Sequence, residues 1–587
     1  MSRGAAGAQV RRLWRHVTPR RRRQFGGLFV LMAAASVAEV VSIGALLPFL
    51  AALTDPQALL AHPRVGPVVA ALGVRRPEEV LLPLTLAFVL AAVVSGAIRL
   101  WMLWAQTRLA VALGADLGAA MYRRTLYQPY QVHVARNSSQ VIAAIAVKAK
   151  YVIFSTIMPA VTLVSAGLMV VAMLLALLAI DPLATATSLG GFALIYGVVV
   201  LGSRARLARD SATIASAQDA VVRTLQEGLG GIRDVLLDGT QEVYASAYVE
   251  ADTRLRRAQA NVQIVSGAPR YIVEAIGMGV IAALAYVVAG RSAGMAGVLP
   301  ILGAFALGAQ RLLPAVQSIY AAWAAFRSGQ ATLVDTLDLL DQPLPLHADA
   351  PAAPPLAFRH AVALEHLSFR YDTTRPWVLR DISLTIARGA RIGVVGETGG
   401  GKSTLLDVLM GLLPPTEGRL TVDGVPVTAE TVRSWQRRIA HVPQAIFLAD
   451  ATIAENIAFG VPPDQIDHAR VAAAAGQARI ADTIEQWPDR YATRVGERGV
   501  QLSGGQRQRI GIARALYKRA DVIVFDEATS ALDSHTEQAV SESLAALGPD
   551  CTVIIVAHRV STLAGCDRII ELAGGRVVRE TTYAALA

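Results

Sequence analysis

A glycine-rich loop is the segment that most directly implies chemistry: Gly396-Glu397-Thr398-Gly399-Gly400-Gly401-Lys402-Ser403 has the spacing G-x-x-x-x-G-K-[ST]. Glycines at these positions let successive backbone N–H groups turn toward phosphate oxygens, and the start of a helix adds positive potential. The run Arg391–Val395 is typical of a buried strand, and a helical pattern follows Ser403, which is the context that a phosphate-binding loop needs. We expect Lys402 to reach the β- and γ-phosphates of ATP, Ser403 to ligate Mg²⁺ and the neighbouring Thr404 to bind ATP as well.

Two acidic residues follow a second strand-like run, Val522–Phe525. Asp526 ends that run and is well placed to hold Mg²⁺ directly or through water. Glu527 is the candidate general base, because a carboxylate beside the metal can accept a proton from the attacking water. A solvated strand-end carboxylate without a chemical role is the alternative. Together with the glycine loop, these residues predict hydrolysis of a nucleoside triphosphate.

Further motifs occur in a defined order around these two. Leu502-Ser503-Gly504-Gly505-Gln506 lies between the loop and Asp526, and a lone His558 follows another strand-like run. This order resembles the ATP-binding cassette superfamily. The resemblance implies that Gln444 ligates the metal and senses the attacking water, that His558 contacts the γ-phosphate and that Tyr371 stacks on adenine. By residue type alone, a lone histidine or a strand aromatic is more often a packing residue.

The same resemblance implies that each ATP site is completed by a second copy of the cassette. Ser503, Gly504, Gly505 and Gln506 would close over the ATP of the partner, and Asp533 would lie at the seam between the two cassettes. The chain carries one membrane region and one cassette, so it resembles a half-transporter. Its hydrolytic motifs are intact in the sequence, which favours a homodimer.

Composition places the first part of the chain in a membrane. The protein has 587 residues, of which 53% are hydrophobic, with a mean hydropathy of +0.44, and the apolar excess lies before about residue 330. The formal net charge is +10, and arginines cluster between positions 11 and 23, ahead of the first long apolar segment. That placement predicts a cytoplasmic N-terminus and argues against a nucleic-acid-binding arm. Cys551 and Cys566 both lie in the ATPase part, so we expect neither a disulfide framework nor a cysteine metal site.

The predicted fold is an all-α transmembrane domain of six helices, of the type found in cassette exporters, followed by an α/β nucleotide-binding domain with a phosphate loop. A span needs about 20 mostly apolar residues, and the candidates are 25–53, 81–107, 152–180, 183–203, 268–290 and 295–326. We expect a cytoplasmic basic N-terminus at 1–24, the transmembrane domain at 25–340, a Pro/Ala-rich linker at 341–358 and the cassette at 359–587. The six spans exclude a soluble cassette ATPase acting on DNA or in translation.

Two long basic connections, 108–150 and 204–267, read as helices that continue from the membrane into the cytoplasm. We expect them to turn near Gln131–Gln140 and near Asp238–Val243. The family resemblance implies that such turns dock on the ATPase domain and transmit its motion. Ordinary solvated loops are the alternative.

Ionisable residues inside apolar spans indicate where cargo binds, because charges in a membrane usually face a cavity or a partner. Arg99, Arg270 and Arg311 are the candidates for a substrate cavity, since arginine suits phosphate oxygens. Glu274 lies four residues after Arg270 and can neutralise it, and a pairing of Arg99 with Glu39 is left open. We expect an anionic, phosphate-bearing amphiphile as cargo; the alternative is that some of these arginines lie below the bilayer.

Segments of the membrane region resemble bacterial exporters that flip lipid-linked oligosaccharides, at Glu39–Ile43 with Leu47–Phe49, Ala268–Glu274 and Gln310–Pro314. This resemblance implies a homodimer in the bacterial plasma (inner) membrane that uses ATP to move a polyprenyl-diphosphate glycan, as in protein glycosylation. It also implies a short helix in the first outer loop, for which residues 58–72 are compatible, although two prolines there equally allow an irregular loop.

Other functions stay open beside the flippase. An exporter of drugs, peptides or other lipids would use the same ATPase with a different cavity. An ATP-gated channel or a regulatory membrane subunit is disfavoured by the intact Glu527 and His558, because a gate does not need efficient hydrolysis at every site.

Overall fold

The computed structural model describes residues 3–54, 57, 79–180, 182–289, 295–345, 348–349, 351, 354–527, 538, 548–557 and 559–586. The chain divides into two compact units. The first comprises Met1–Gln128 with Arg136–Leu344, and the second comprises Pro129–Ala135 with Pro345–Ala587. A short segment that precedes residue 136 therefore belongs to the C-terminal unit.

The first unit is helical. In chain order the helices up to residue 340 are α1 (Arg3–Arg15), α2 (Pro19–Thr54), α3 (Leu81–Leu126), α4 (Tyr130–Ala135, in the second unit), α5 (Ser138–Ile142), α6 (Ala149–Val152), α7 (Met158–Ile180), α8 (Pro182–Gly230), α9 (Ile232–Leu237), α10 (Gln241–Ala289), α11 (Met295–Ser328) and α12 (Gln330–Leu340). Two π-helical segments, Ala143–Lys148 and Ile153–Ile157, link α5, α6 and α7 into one continuous stretch.

The six predicted spans fall within long helical stretches of the described chain, namely α2, α3, the stretch from α5 to α7, α8, α10 and α11. Among the described residues, three stretches are long and apolar enough by length and composition to cross a membrane, at Pro19–Ser42, Leu81–Leu126 and Ser138–Ala176. The predicted outer helix at 58–72 lies outside the described residues.

The structure has a turn between helices at both predicted positions. Helix α4 ends at Ala135, and the Asn137 side chain caps the next helix by accepting the Ser139 N–H at 2.9 Å. The second turn separates α9 from α10, where Gly239 has φ of +63°, a conformation that favours glycine. Because Pro129–Ala135 packs within the second unit, the expected docking on the ATPase domain is confirmed for the first turn.

The second unit contains two sheets. Its strands are β1 (Ala361–Phe369), β2 (Leu379–Ala387), β3 (Arg391–Gly396), β4 (Glu417–Val422), β5 (Val425–Pro426), β6 (Ile439–Val442), β7 (Val522–Asp526), β8 (Thr552–Val556), β9 (Arg568–Ala573) and β10 (Arg576–Thr581). Its helices are α13 (Lys402–Leu409), α14 (Val432–Gln436), α15 (Ile453–Ile457), α16 (His468–Gln477), α17 (Ala481–Glu485) and α18 (Gly504–Lys518). One sheet is antiparallel in the order β2-β1-β4-β5, and the other is mixed in the order β10-β9-β3-β8-β7-β6.

The parallel centre of the mixed sheet positions the site. Strands β3, β7 and β8 are buried apolar runs, as expected for strands covered on both faces. In the pairing register, Val394 and Asp526 both lie opposite Val556 on β8. The glycine loop after β3 and the acidic pair at the end of β7 therefore emerge at the same carboxyl edge, where ligands bind in such sheets.

Candidate functional site

The glycine loop is shaped by close approach of the backbone. Gly396 has φ of +149°, and a Cβ there would lie 2.1 Å from the carbonyl oxygen of Leu572. Gly401 has φ of +97° and directly precedes α13. Lys402 is buried, and its Nζ donates to the carbonyl oxygens of Gly396 at 2.7 Å and Glu397 at 3.0 Å. The loop thus brings a buried ammonium group and a helix N-terminus to one place, which is an anion-binding arrangement.

The structure brings together two predicted residues from distant segments. Nε2 of Gln444, which follows β6, donates to Oε2 of Glu527 at 2.7 Å. Glu527 itself has φ of +50°, and its N–H donates to the carbonyl of Val556 at 3.0 Å. A positive φ is uncommon for residues other than glycine and often marks a functional position. The carboxylate proposed as general base is therefore held by a side-chain amide and a fixed backbone.

Asp407 is a site residue that the sequence reading missed. Burial, and then the neighbouring Asp526, raise its pKa to about 6. Residue 407 is four positions after Ser403 on α13, so both lie on one helix face. That spacing was the signal that could have revealed it. Burial contributes most to this shift, and Asp526 adds to it because like charges disfavour ionisation.

The donor set here fits Mg²⁺. A hydroxyl from Ser403, a carboxylate from Asp526 and an amide oxygen from Gln444 are hard oxygen ligands of the kind that Mg²⁺ prefers. Among the described residues there is no cluster of three or more His, Cys, Asp or Glu that could hold a metal ion.

Tyr371 lies beside α13, the helix that follows the glycine loop. Its hydroxyl is 3.4 Å from Oγ1 of Thr404, and its ring meets Phe369 edge-on at 5.0 Å between centroids. The ring is partly exposed, so it retains a surface on which a base can stack. Burial, with Asp407 and Tyr371 as neighbours, raises the pKa of Tyr130. Helix α4 therefore lies beside this part of the nucleotide site.

The segment Leu502–Gln506 forms the start of a helix. Oγ of Ser503 accepts the N–H of Gln506 at 3.2 Å, and Oε1 of Gln506 accepts the N–H of Ser503 at 2.8 Å. This reciprocal capping box begins α18, with Gly504 and Gly505 as its first residues. The arrangement presents backbone N–H groups and a positive helix end to an anion. His558 and Asp533 lie outside the described residues, so their roles stay predictions.

In the first unit, Arg99 lines a cavity of about 540 Å³ between α2, α3, α7 and α11. Its Nη1 lies 3.4 Å from Oε2 of Glu39, which settles the pairing that the sequence left open. Nε of Arg270 donates to Oε1 of Glu274 at 2.8 Å, and this exposed pair is not part of the cavity. The side chain of Arg311 lies outside the described part of α11.

Geometry and sequence together define a class: a multi-pass membrane protein with a phosphate-loop ATPase. The family model described as "ABC transporter transmembrane region" matches residues 26–299, and the model described as "ABC transporter" matches residues 379–530. The chain belongs to the ABC transporters, as a half-transporter of the exporter type, and it hydrolyses ATP to drive transport.

The proteins similar to this chain include a flippase and a heavy metal exporter. The chain is 31% identical to an ATP-dependent lipid A-core flippase of Albidiferax ferrireducens over 83% of this chain and 82% of that protein. It is 40% identical to an ATM1-type heavy metal exporter of Novosphingobium aromaticivorans over 44% and 42%. A solved bacterial Atm1-family ABC exporter with ATP bound superposes with a TM-score of 0.76 at 26% identity, covering 96% of each chain.

Proposed function

We propose that this exporter is a homodimeric flippase that moves a polyprenyl-diphosphate oligosaccharide from the cytoplasmic to the outer leaflet of the bacterial plasma membrane. The observation that carries the proposal is the cavity among α2, α3, α7 and α11, in which Arg99 supplies a cation. A permanently charged, forked donor inside membrane helices suits the oxygens of a phosphate. A related protein that matches most of the chain is named as an ATP-dependent lipid A-core flippase.

The ATPase would work through residues of both copies. Backbone N–H groups of the loop and Lys402 bind the β- and γ-phosphates, Tyr371 stacks on adenine, and Glu527 accepts the proton of the water that attacks the γ-phosphorus as the bond to the β-phosphate oxygen breaks. Ser403, Gln444 and Asp526 would hold Mg²⁺, which would supply neutralisation of the charge on the two phosphates. From the family resemblance, His558 contacts the γ-phosphate.

A second copy is proposed for two reasons. The helix start at Ser503 to Gln506 is an anion site that is separate in sequence from the loop, as expected for a site completed by a partner cassette, with Asp533 at the seam. In addition, the turn between α9 and α10 carries exposed apolar side chains, at Leu236, Leu237 and Val243. Exposed apolar patches of this kind mark interaction surfaces, and the partner's cassette is the proposed cover.

The distribution of arginines supports one orientation of the chain in the membrane. The arginines between positions 11 and 23 precede the first span, so the N-terminus and the cassettes are proposed to lie in the cytoplasm. ATP is available there, which the cassettes require.

Export of a soft metal complex is a second candidate, and one observation favours it. Three thioethers, of Met32, Met102 and Met169, line the same cavity as Arg99. Thioether ligands select soft metal ions, and relatives include a heavy metal exporter. Met also fills irregular gaps between helices without binding anything, because its side chain is flexible and polarizable.

ATPase stimulation in lipid nanodiscs separates the candidates. We expect a polyprenyl-diphosphate oligosaccharide to stimulate hydrolysis, and Arg99→Gln to raise its half-stimulating concentration about tenfold, the equivalent of one lost charged contact. Arg270→Gln is the matched comparison, since that arginine lies outside the cavity. Stimulation by a thiol-complexed soft metal, with no response to the glycolipid, would contradict the flippase.

A further inference from the structure

Helix α8 lies beside the junction of α11 and α12 along a seam that two polar contacts define. Oη of Tyr320 on α11 lies 3.2 Å from Oγ of Ser203 on α8. Further along both segments, the N–H of Ala331 on α12 donates to Oγ of Ser211 on α8 at 3.1 Å. The stretch of α8 between these two contacts therefore lies beside the end of α11.

Two arginines occupy this seam between the contacts. Arg204 is on α8, Arg327 is near the end of α11, and both side chains are partly buried. Burial, and then the like charge of Arg204, lower the pKa of Arg327. Among the described residues neither arginine forms an ion pair with a carboxylate. Asp210, the next acidic residue along α8, instead accepts a hydrogen bond from Nδ2 of Asn261 on α10 at 3.4 Å. The seam therefore carries positive charge that the protein itself does not neutralise.

An amide donor lies beside these arginines. Oε1 of Gln330 accepts a hydrogen bond from Nη1 of Arg327 at 3.0 Å, which determines the end of the amide that faces the guanidinium. Gln330 is 8% exposed, and its Nε2 has no hydrogen-bond partner among the described residues. Because buried donors are almost always paired, this unpaired N–H group indicates that a ligand or a water completes the site.

The backbone around Gln330 adds positive potential to the seam. Gln330 is the first residue of the 11-residue helix α12, whose first turn has no acidic residue, and the preceding Gly329 has no side chain to cap it. A Cβ at Gly329 would clash with Ser155 and would lie 3.1 Å from Oγ1 of Thr156. Thr156 is 2% exposed, and its hydroxyl has no partner in the part of the chain that the structure describes. The helix N-terminus, the Gln330 amide and the Thr156 hydroxyl thus meet at one place.

Phosphate is the anion that suits this set of groups. The two guanidinium groups and the unpaired end of the amide are hydrogen-bond donors, and the forked guanidinium matches the geometry of phosphate oxygens. A phosphate offers several acceptor oxygens and, as a monoester or diphosphate, more than one negative charge. It can therefore contact both arginines, whereas a carboxylate neutralises one of them.

We propose that Arg204, Arg327 and Gln330 form a phosphate-binding site at the junction of α8, α11 and α12, separate from the cavity that Arg99 lines. Both arginines directly follow predicted spans, so a lipid phosphate of the inner leaflet and a free phosphate each reach this level. For a flippase, the site receives the phosphate of the cargo before the cavity does. That use of the site rests on the proposed function.

Lipid binding to the full-length protein in detergent tests the site. Every protein carries Arg99→Gln, so that the cavity contributes little, and nucleotide is omitted. Native mass spectrometry measures the affinity for polyprenyl phosphate and for polyprenol, which lacks the phosphate. We expect polyprenyl phosphate to bind at least about tenfold more tightly, and Arg204→Gln or Arg327→Gln to remove most of that difference, as for the loss of a charged hydrogen bond.

Arg209→Gln is the matched control, because it removes the same charge from an exposed position on α8 and should keep the preference. Gln330→Glu separates binding from folding. Its carboxylate still accepts a hydrogen bond from Arg327, so the protein should melt no lower than its parent, yet it repels phosphate and should abolish the preference. A preference that survives in both arginine variants or in Gln330→Glu, or that falls equally in Arg209→Gln, overturns the proposal.

Two further probes identify the source of the phosphate and keep this site distinct from the proposed cargo. Phosphatidic acid is compared with diacylglycerol, and inorganic phosphate is tested by the shift in melting temperature that it causes. Preference for phosphatidic acid that requires Arg327, without binding of polyprenyl phosphate, supports the site and contradicts the proposed cargo. A shift with inorganic phosphate that requires Arg327, without lipid binding, assigns the site to free phosphate. If the response to none of the three phosphates requires Arg327, the site is overturned, whereas flipping through the Arg99 cavity can still be observed.

Discussion

Replacing Lys148 with methionine tests whether a buried cluster of three charges stabilises the first unit. Lys148 ends the first π-helical segment, and its side chain is 3% exposed. Its Nζ lies 2.7 Å from Oδ1 of Asp219 on α8 and 2.6 Å from Oδ2 of Asp335 on α12. The cluster thus ties together three segments that are far apart in sequence, including the helix that leads out of the unit.

The loss of stability expected on replacing Lys148 depends on how far the charged groups are buried. At an effective dielectric constant of about 20, one such contact corresponds to roughly 6 kcal/mol of attraction, most of which offsets desolvation. Removing one member of a buried pair costs about 3–5 kcal/mol, because charge is left without its partner. The Asp219 and Asp335 side chains are 29% and 41% exposed, so water screens them in part. We therefore expect Lys148→Met to lower the free energy of unfolding by about 2–3 kcal/mol.

Thermal unfolding of the purified full-length protein measures this effect. Lys150→Met is the control, since Lys150 is exposed and its loss changes the net charge equally. We expect Lys148→Met to melt a few degrees lower and Lys150→Met to melt like wild type. Adding Asp335→Asn to Lys148→Met should restore part of the loss by removing one of two repelling carboxylates. Equal melting of the two lysine variants would refute the reasoning.

Three further predictions concern the cassette. Tyr371→Ala should raise KM for ATP about tenfold with kcat little changed, and Tyr371→Trp should restore it; an unchanged KM would exclude stacking. Burial raises the pKa of Cys566 to about 12, so at pH 9 only about a thousandth of the Cys566 side chains are in the thiolate form. Iodoacetamide should therefore modify Cys566 far more slowly in the folded protein than in the unfolded protein. Mixed dimers of Lys402→Ala and Ser503→Arg chains contain one intact site if sites are completed in trans, so mixing two hydrolysis-deficient proteins should restore ATP hydrolysis; no recovery contradicts the head-to-tail dimer.

Much of the ATPase site could be predicted from local sequence because its parts depend on local backbone geometry. The loop from Gly396 to Ser403 needs glycines where the chain approaches Leu572, and the spacing of these glycines can be recognised from the sequence alone. The contact between Gln444 and Glu527 depends instead on β6 and β7 being neighbours, which only the sheet order determines. Asp407 was not predicted because the pattern of the phosphate-binding loop ends at Ser403. Helical spacing nevertheless places Asp407 on the same face of α13 as Ser403.

In the first unit, hydropathy predicted the long apolar helices, and short-range spacing predicted contacts within one helix. The pair Arg270–Glu274 follows from an i,i+4 interval on one helix. The pair Glu39–Arg99 joins two helices, so its existence depends on their relative rotation and register, which apolar periodicity does not specify. The π-helical segments and the charges around Lys148 were not predicted for the same reason, since they reflect packing among several helices.

The central claim is that ATP hydrolysis drives a phosphate-linked glycolipid across a membrane. The most direct measurement is ATP-dependent flipping of a fluorescent polyprenyl-diphosphate oligosaccharide in proteoliposomes, for wild type and Glu527→Gln. We expect flipping by wild type with MgATP and none by Glu527→Gln, even though the variant still binds ATP. Robust hydrolysis by wild type without movement of the glycolipid would contradict the account.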